Sequence, residues 1–406
     1  MRIRSITYFC NPGWPLEKKE LRLAAGFLQD ARQSFEKAGF EVQTTRLSSI
    51  PFPQLLGGRV NETTLLAVKL AEAIKDAGID YASVGPASLD NPKSYTAIPD
   101  AIQAARTIFF SGFMTNSRSH ISLEAVQACA RVIVRCARIS PDGIANLNFA
   151  ALANVQPGGP FFPASWHKGD NPAFGIATEA ADLAVQAFDN NEDITSGKKQ
   201  LVSSLEELAS RMMPVADLLK YKHSARFNGI DFSLAPFPEA SRSIGTALEA
   251  IGPRQAGWHG SLASAAILTE AIDQAVFPHT GFCGLMLPVL EDAILAKRAA
   301  DGSLTVKDLM MMSAVCGTGL DTVPLSGNVS AEQLQAVLID LAALALRLNK
   351  PLTARLMPIP GKKAGDETEF DFPYFANSRV MTLDSHPLGK SLRSLERFQL
   401  EQHRVK

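Results

Sequence analysis

The residues able to do chemistry gather in a few turn-like stretches of the 406-residue chain. The densest is Ala314-Val315-Cys316-Gly317-Thr318-Gly319-Leu320-Asp321-Thr322-Val323-Pro324-Leu325-Ser326-Gly327. It places a thiol and a carboxylate five residues apart, between segments that read as helices. Three glycines and a proline within eleven residues cost too much helix propensity for either helix to continue. A tight turn with uncovered backbone amides is expected. Cys316 would be a nucleophile if amides or an imidazole lowered its pKa. The alternative is a small residue fitted into a crowded turn.

Three further clusters carry polar chemistry. His259 stands in Gly257-Trp258-His259-Gly260-Ser261, where its ring can reach outward as an acid, a base or a structural hydrogen-bonder. The later Glu291-Asp292 pair falls at a helix start, where carboxylates complement the helix dipole or can orient a base or bind a cation. Asp231 with Ser233 precedes Pro236 on a strand. His167 with Asp170 follows the Pro- and Gly-rich residues 156–167. A divalent cation could draw on His167, His259 and the carboxylates, although no pair has a recognised ligand spacing. Gly317-Thr318-Gly319 lacks a third glycine, so no dinucleotide fingerprint is present and no cofactor is expected. Cys129 and Cys136, seven apart on one helix face, read as core.

The rest of the chain must position these groups. It is 46% hydrophobic and 20% charged, with a formal charge of −1. That gives no electrostatic footprint for nucleic acid and no basic amphipathic patch for a membrane surface. The longest apolar helix, residues 336–346, is interrupted by Asp340 and is too short to span a bilayer. The N-terminus reads as a strand, not a signal peptide. Five scattered cysteines make no disulfide framework, so a cytoplasmic protein with reduced thiols is expected.

Strand and helix signals alternate along the chain. Strands are predicted at residues 3–9, 40–47, 79–84, 107–110, 173–176, 230–234 and 352–359. Amphipathic helices fall between them, among them residues 18–37, 122–138, 201–221 and a helix to residue 348 that opens on a Ser330/Gln333 capping box. The most polar connection, Asn190 to Lys199, marks a boundary between halves 1–195 and 196–388 of one α/β domain, with a charged tail over 389–406. Such alternation argues for a mostly parallel sheet or barrel covered by helices. Its site should lie at the carboxyl ends of strands.

Several stretches carry a family resemblance: Asn154-Val155-Gln156-Pro157 through Phe161 to His167, Asp231-Phe232-Ser233-Leu234-Ala235-Pro236, Gly257-Trp258-His259-Gly260, and Pro288 with Glu291-Asp292. Val315 to Asp321 with Pro324 and Gly327, and Arg355 with Pro358-Ile359-Pro360-Gly361-Lys362-Lys363 and Gly365, complete the set. Over about residues 1–371 the chain resembles the domain-of-unknown-function 711 family, also called uncharacterised protein family 0210. The resemblance implies a closed ten-stranded α/β barrel of two half-barrels with a loop inside, like that of the glycyl-radical (pyruvate formate-lyase-like) enzymes. It would put the Cys316 turn where those enzymes carry their working cysteine. The radical glycine motif is absent, since Arg379-Val380 continues as Met381-Thr382. The family brings no activity with it.

The first reading is then a cytoplasmic, non-radical enzyme of hydrolase or lyase type, acting on a small polar or carboxylate-bearing metabolite at a barrel mouth. Cys316 would be nucleophile or acid/base and His259 its proton-transfer partner, with Asp231 or Glu291/Asp292 orienting it or binding a cation. Arg355 and Lys362 would hold the anionic end, and Asn154, His167 and Asp321 would contact the substrate. The second reading is a non-catalytic binding or regulatory protein with the same pocket. Either reading is compatible with a homo-oligomer.

Overall fold

The computed structural model describes residues 2–116, 119–169 and 171–403. Asp170, read above as a companion of His167, lies outside them. The strands are β1 (Arg2–Phe9), β2 (Glu41–Ser48), β3 (Tyr81–Ala87), β4 (Ile108–Phe113), β5 (His120–Ser122), β6 (Phe149–Ala153), β7 (Ala173–Glu179), β8 (Arg226–Ala235), β9 (Gly319–Ser326), β10 (Leu352–Ile359) and β11 (Arg397–Gln399). Nine of them form one sheet in the order β8-β7-β1-β2-β3-β4-β6-β10-β9. β1, β2, β3, β4 and β6 run parallel to one another. β7 and β8 run against them on one side, and β10 and β9 on the other.

The sheet corrects the expected closed ten-stranded barrel. Among the described residues the hydrogen-bonded order is open, ending on β8 and β9. Residues 278–288 meet those edges through two isolated bridges, Ile230 to His279 and Pro288 to Asp321, and scattered hydrogen bonds such as Met286 N to the Ser233 carbonyl, not through a ladder. Pro278 and Pro288 lack an amide donor, and Gly281 and Cys283 turn the chain with φ of +69° and +41°. That segment cannot form a regular ladder.

The helices explain the near-continuous apolar strands. Helix Lys18–Lys37 buries Leu21, Ala24, Phe27, Leu28, Ala31 and Phe35, a spacing that lays one face on the sheet. β6 and β10 are buried at every position, as strands covered on both faces should be. Ser330 and Gln333 form the expected capping box, and Thr305 with Asp308 forms another.

The Cys316 stretch differs from its reading as a tight turn. Helix Val306–Cys316 runs through Cys316, Gly317 caps it at φ +80°, and β9 begins two residues later. β9 is an edge strand, which is where a proline such as Pro324 is tolerated. Gly319 has φ +100°, and a Cβ there would collide with the Thr353 carbonyl. The glycines close a helix and let an edge strand approach its neighbour.

The tail returns to the body. β11 pairs antiparallel with β5, and Arg397 Nη1 donates to Asp90 Oδ1 at 3.1 Å. Residues 195 and 196, the expected boundary between halves, fall in the first turn of helix Ile194–His223. Among the described residues, no helix is long and apolar enough to cross a membrane.

Candidate functional site

One cavity of about 440 Å³ opens on the sheet face crossed by residues 156–167, a size usual for small-molecule sites. Its walls come from the amino-terminal parts of β1, β3 and β4, from Gln43, Thr44 and Arg46 along β2, from the carboxyl-terminal parts of β7 and β8, and from Arg355 of β10. The expectation of a site at carboxyl ends thus holds for only part of the sheet, because β7 and β8 run opposite to β1.

Irregularities in the strands aim the charged groups. The register of β1 on β7 shifts between Ile3 and Ser5, leaving Arg4 as the extra residue. On β9, Asp321 and Thr322 together face Arg355 of β10, since Leu320 pairs Ala354 and Val323 pairs Leu356. Thr322 has φ +40°. Bulges commonly re-aim side chains beside functional sites. Here they bring residues from remote parts of the chain onto one spot.

There the charges alternate. Arg355 Nε and Nη2 hold Asp321 at 2.5 and 3.0 Å, and Nη2 also donates to Glu291 Oε1 at 2.8 Å. Glu291 Oε2 takes Arg4 Nη2. Burial alone would raise the Glu291 carboxyl, but Arg4 and Arg355 outweigh it and hold it below the usual carboxylate range. Arg46 stands beside this chain, near enough for its charge to act on Glu291 but in none of its ion pairs. Its Nε donates to Thr44 Oγ1 at 2.9 Å and its guanidinium lies 5.0 Å over the Phe162 ring. Among the described residues no carboxylate pairs with it. Burial, and then the positive charge of Arg4, push the Arg46 guanidinium down to about 10.

Asp231 also lines the cavity. Its oxygens accept from Ser233 Oγ, from Phe282 N at 3.0 Å and from Cys283 N at 3.1 Å. A Cβ on Gly281 would collide with this carboxylate, so Asp231 holds a turn that only glycine can make. Burial pushes the Asp231 carboxyl up.

The structure therefore brings Glu291, Asp321, Arg355 and Asp231 to one place. The other candidates lie elsewhere. Asp292 is buried behind Glu291, where it accepts from Ser243 Oγ and from the amides of Ile244, Ile294 and Leu295; it caps two helices at once. Cys316 is wholly buried, with its Sγ 3.7 Å from Thr318 Oγ1, and His259 is exposed on a surface turn. The Cys316–His259 pair is thus not assembled, because one group is sealed in the core and the other faces solvent. Asn154 Nδ2 donates to Asn349 at 3.2 Å, and Lys362 Nζ pairs with Glu369 at 3.2 Å; neither lines the cavity. His167 is buried with its amide on the Ser49 carbonyl at 2.9 Å. Among the described residues no three His, Cys, Asp or Glu side chains are grouped to hold a metal ion.

Sequence reading missed Arg4, Arg46 and Ser5. The available signal was a cation well inside each of two strands, Arg4 in RIRSITYF and Arg46 in EVQTTRLS, where a buried charge is costly unless it is used.

Fold and cavity together define a mostly parallel α/β protein with an internal, arginine-lined pocket. The chain belongs to the family described as Uncharacterised ACR (DUF711), which matches residues 1–378. It is similar to the UPF0210 protein of Acetivibrio thermocellus, 27% identical over 374 residues that cover 87% of this chain and 82% of the relative. It is likewise similar to the UPF0210 protein of Pyrobaculum aerophilum, 29% identical over 366 residues, covering 84% of this chain and 79% of the relative. The UPF0210 protein of Syntrophobacter fumaroxidans is 28% identical over 392 residues, with 87% and 82% covered.

Proposed function

We propose that the protein captures a small anionic metabolite in the arginine-lined cavity. One observation carries this reading: Arg46 faces the cavity with no carboxylate partner among the described residues, while its neighbours Arg4 and Arg355 are both neutralised. A guanidinium held in a partly buried place without a direct ion-pair partner costs free energy, and a bound oxyanion would offset that cost through charge-assisted hydrogen bonds. Arg355, already engaged with two carboxylates, serves to hold the wall in shape. Phenylglyoxal modification of Arg46 in the native protein, followed by peptide mapping, tests the reading. Benzoate, succinate or phenyl phosphate should slow the modification at constant ionic strength while chloride does not. A rate indifferent to all three would sink it.

A second reading is turnover of the bound anion by non-radical, hydrolase- or lyase-type chemistry, and Asp231 favours it. A carboxyl raised by burial in a cavity wall is a better proton acceptor than an ordinary aspartate. Neither Cys316 nor His259 is required in this form. Loss of a measured turnover in Asp231→Asn, with anion binding retained, would support it. Equal turnover in native and variant protein would exclude that role.

A further inference from the structure

We infer that the anion this cavity takes is an aryl monocarboxylate, its carboxylate held by Arg46 and the Ser5 hydroxyl and its ring laid along Phe162, Phe109 and Tyr81. The inference rests on the anion-capture reading above and adds the chemical class.

Ser5 supplies an independent observation. The residue lines the cavity and is wholly buried, yet its Oγ has no hydrogen-bond partner among the described residues. An unsatisfied buried hydroxyl is costly and calls for an explanation. Ser5 pairs in register with Thr44 of β2, the residue to which Arg46 Nε donates. An orphaned donor and an unpaired cation are thus placed on adjacent strands at one end of the cavity.

Charge selects between anions. Arg4, Arg46 and Arg355 face Glu291 and Asp321, three positive groups against two negative, leaving one positive charge. Asp231 in the wall and Arg106 at the rim add one charge of each sign, so the balance of one positive charge stands. A monocarboxylate balances the remaining charge, and its planar oxygens match a guanidinium fork. A phosphate dianion would leave negative charge in excess in a poorly solvated place.

The apolar walls select the body. Arg46 sits over Phe162, whose ring centroid is 5.5 Å from Phe109, which in turn is 5.5 Å from Tyr81. Tyr81 pairs in register with Arg46, so these rings form an apolar wall around the guanidinium. A flat ring can stack on that wall or meet it edge-on, whereas an aliphatic diacid would bury its second carboxylate against those rings.

The test is isothermal titration calorimetry on the full chain with three probes: 2-naphthoate, 2-naphthyl phosphate and adipate. Naphthoate should bind tightest to the native protein. Arg46→Met should weaken it by about tenfold or more and Ser5→Ala by roughly threefold to tenfold, with melting temperatures checked to confirm folding. Tighter binding of naphthyl phosphate or adipate, still dependent on Arg46, would overturn the aryl monocarboxylate and leave anion capture standing. Failure of all three to bind, or binding indifferent to Arg46→Met, would overturn both.

Discussion

Arg355 and Asp321 face each other across a β-bulge, with Nε to Oδ1 at 2.5 Å and Nη2 to Oδ2 at 3.0 Å. Two residues of the edge strand stand opposite one of its neighbour at this point, so the fork meets the carboxylate side-on. The pair organises its surroundings. Arg355 passes on to Glu291, and Glu291 to Arg4, leaving Arg46 as the cation outside the pairing.

Removing Arg355 should be costly. Arg355→Met strands the buried Asp321 and leaves Glu291 with Arg4 alone, and breaking a buried pair in this way typically costs about 3–5 kcal/mol. Urea unfolding would measure it. A loss under about 1 kcal/mol would mean that water or rearrangement already compensates the carboxylates.

Acid should act through Glu291. Arg4 and Arg355 hold its folded carboxyl below the usual range despite burial. A depressed folded pKa contributes stability that is fully present above the unfolded value of about 4.3 and is lost as pH falls through the folded value. Stability should therefore drop on acidification below about pH 4, and Glu291→Gln should remove that part of the slope. An identical slope in the variant would assign the acid sensitivity elsewhere.

The thiols should be silent. All five cysteines are free and buried, and burial pushes Cys10 and Cys136 up to about 12 and Cys129 and Cys283 higher still. Iodoacetamide should label none of them quickly in the native protein and all five after unfolding. Cys316→Ala should leave anion binding intact. Fast labelling of Cys316 below about pH 7 would bring the nucleophile back.

Local signals carried much of this architecture. Helix Lys18–Lys37 and strand Leu352–Ile359 begin and end where periodicity and turn chemistry place them. Glu291, Asp231, Asp321 and Arg355 were legible as polar residues set among glycines, prolines and apolar runs. Their convergence was not, because Arg4 meets Glu291 across 287 positions of sequence, and only sheet order decides that. The glycines around Cys316 misled for a related reason. They serve the closeness of β9 to β10, as the Gly319–Thr353 approach shows, and close approach of two backbones looks in sequence like a ligand loop. His259 and Cys316 each have a chemically suggestive neighbourhood, but chemistry needs them in one place.

The central claim is that Arg46 is an uncompensated charge kept for a ligand. Unfolding of native protein and Arg46→Met by urea, in buffer free of organic anions, tests this most directly. The account predicts that the variant is as stable as the native protein or more stable, by about 1 kcal/mol, because no buried carboxylate loses its ion-pair partner when Arg46 goes and Thr44 Oγ1 keeps its bond to the Arg4 carbonyl. A variant destabilised by more than about 1 kcal/mol would contradict it, since Arg46 would then be a structural partner like Arg355.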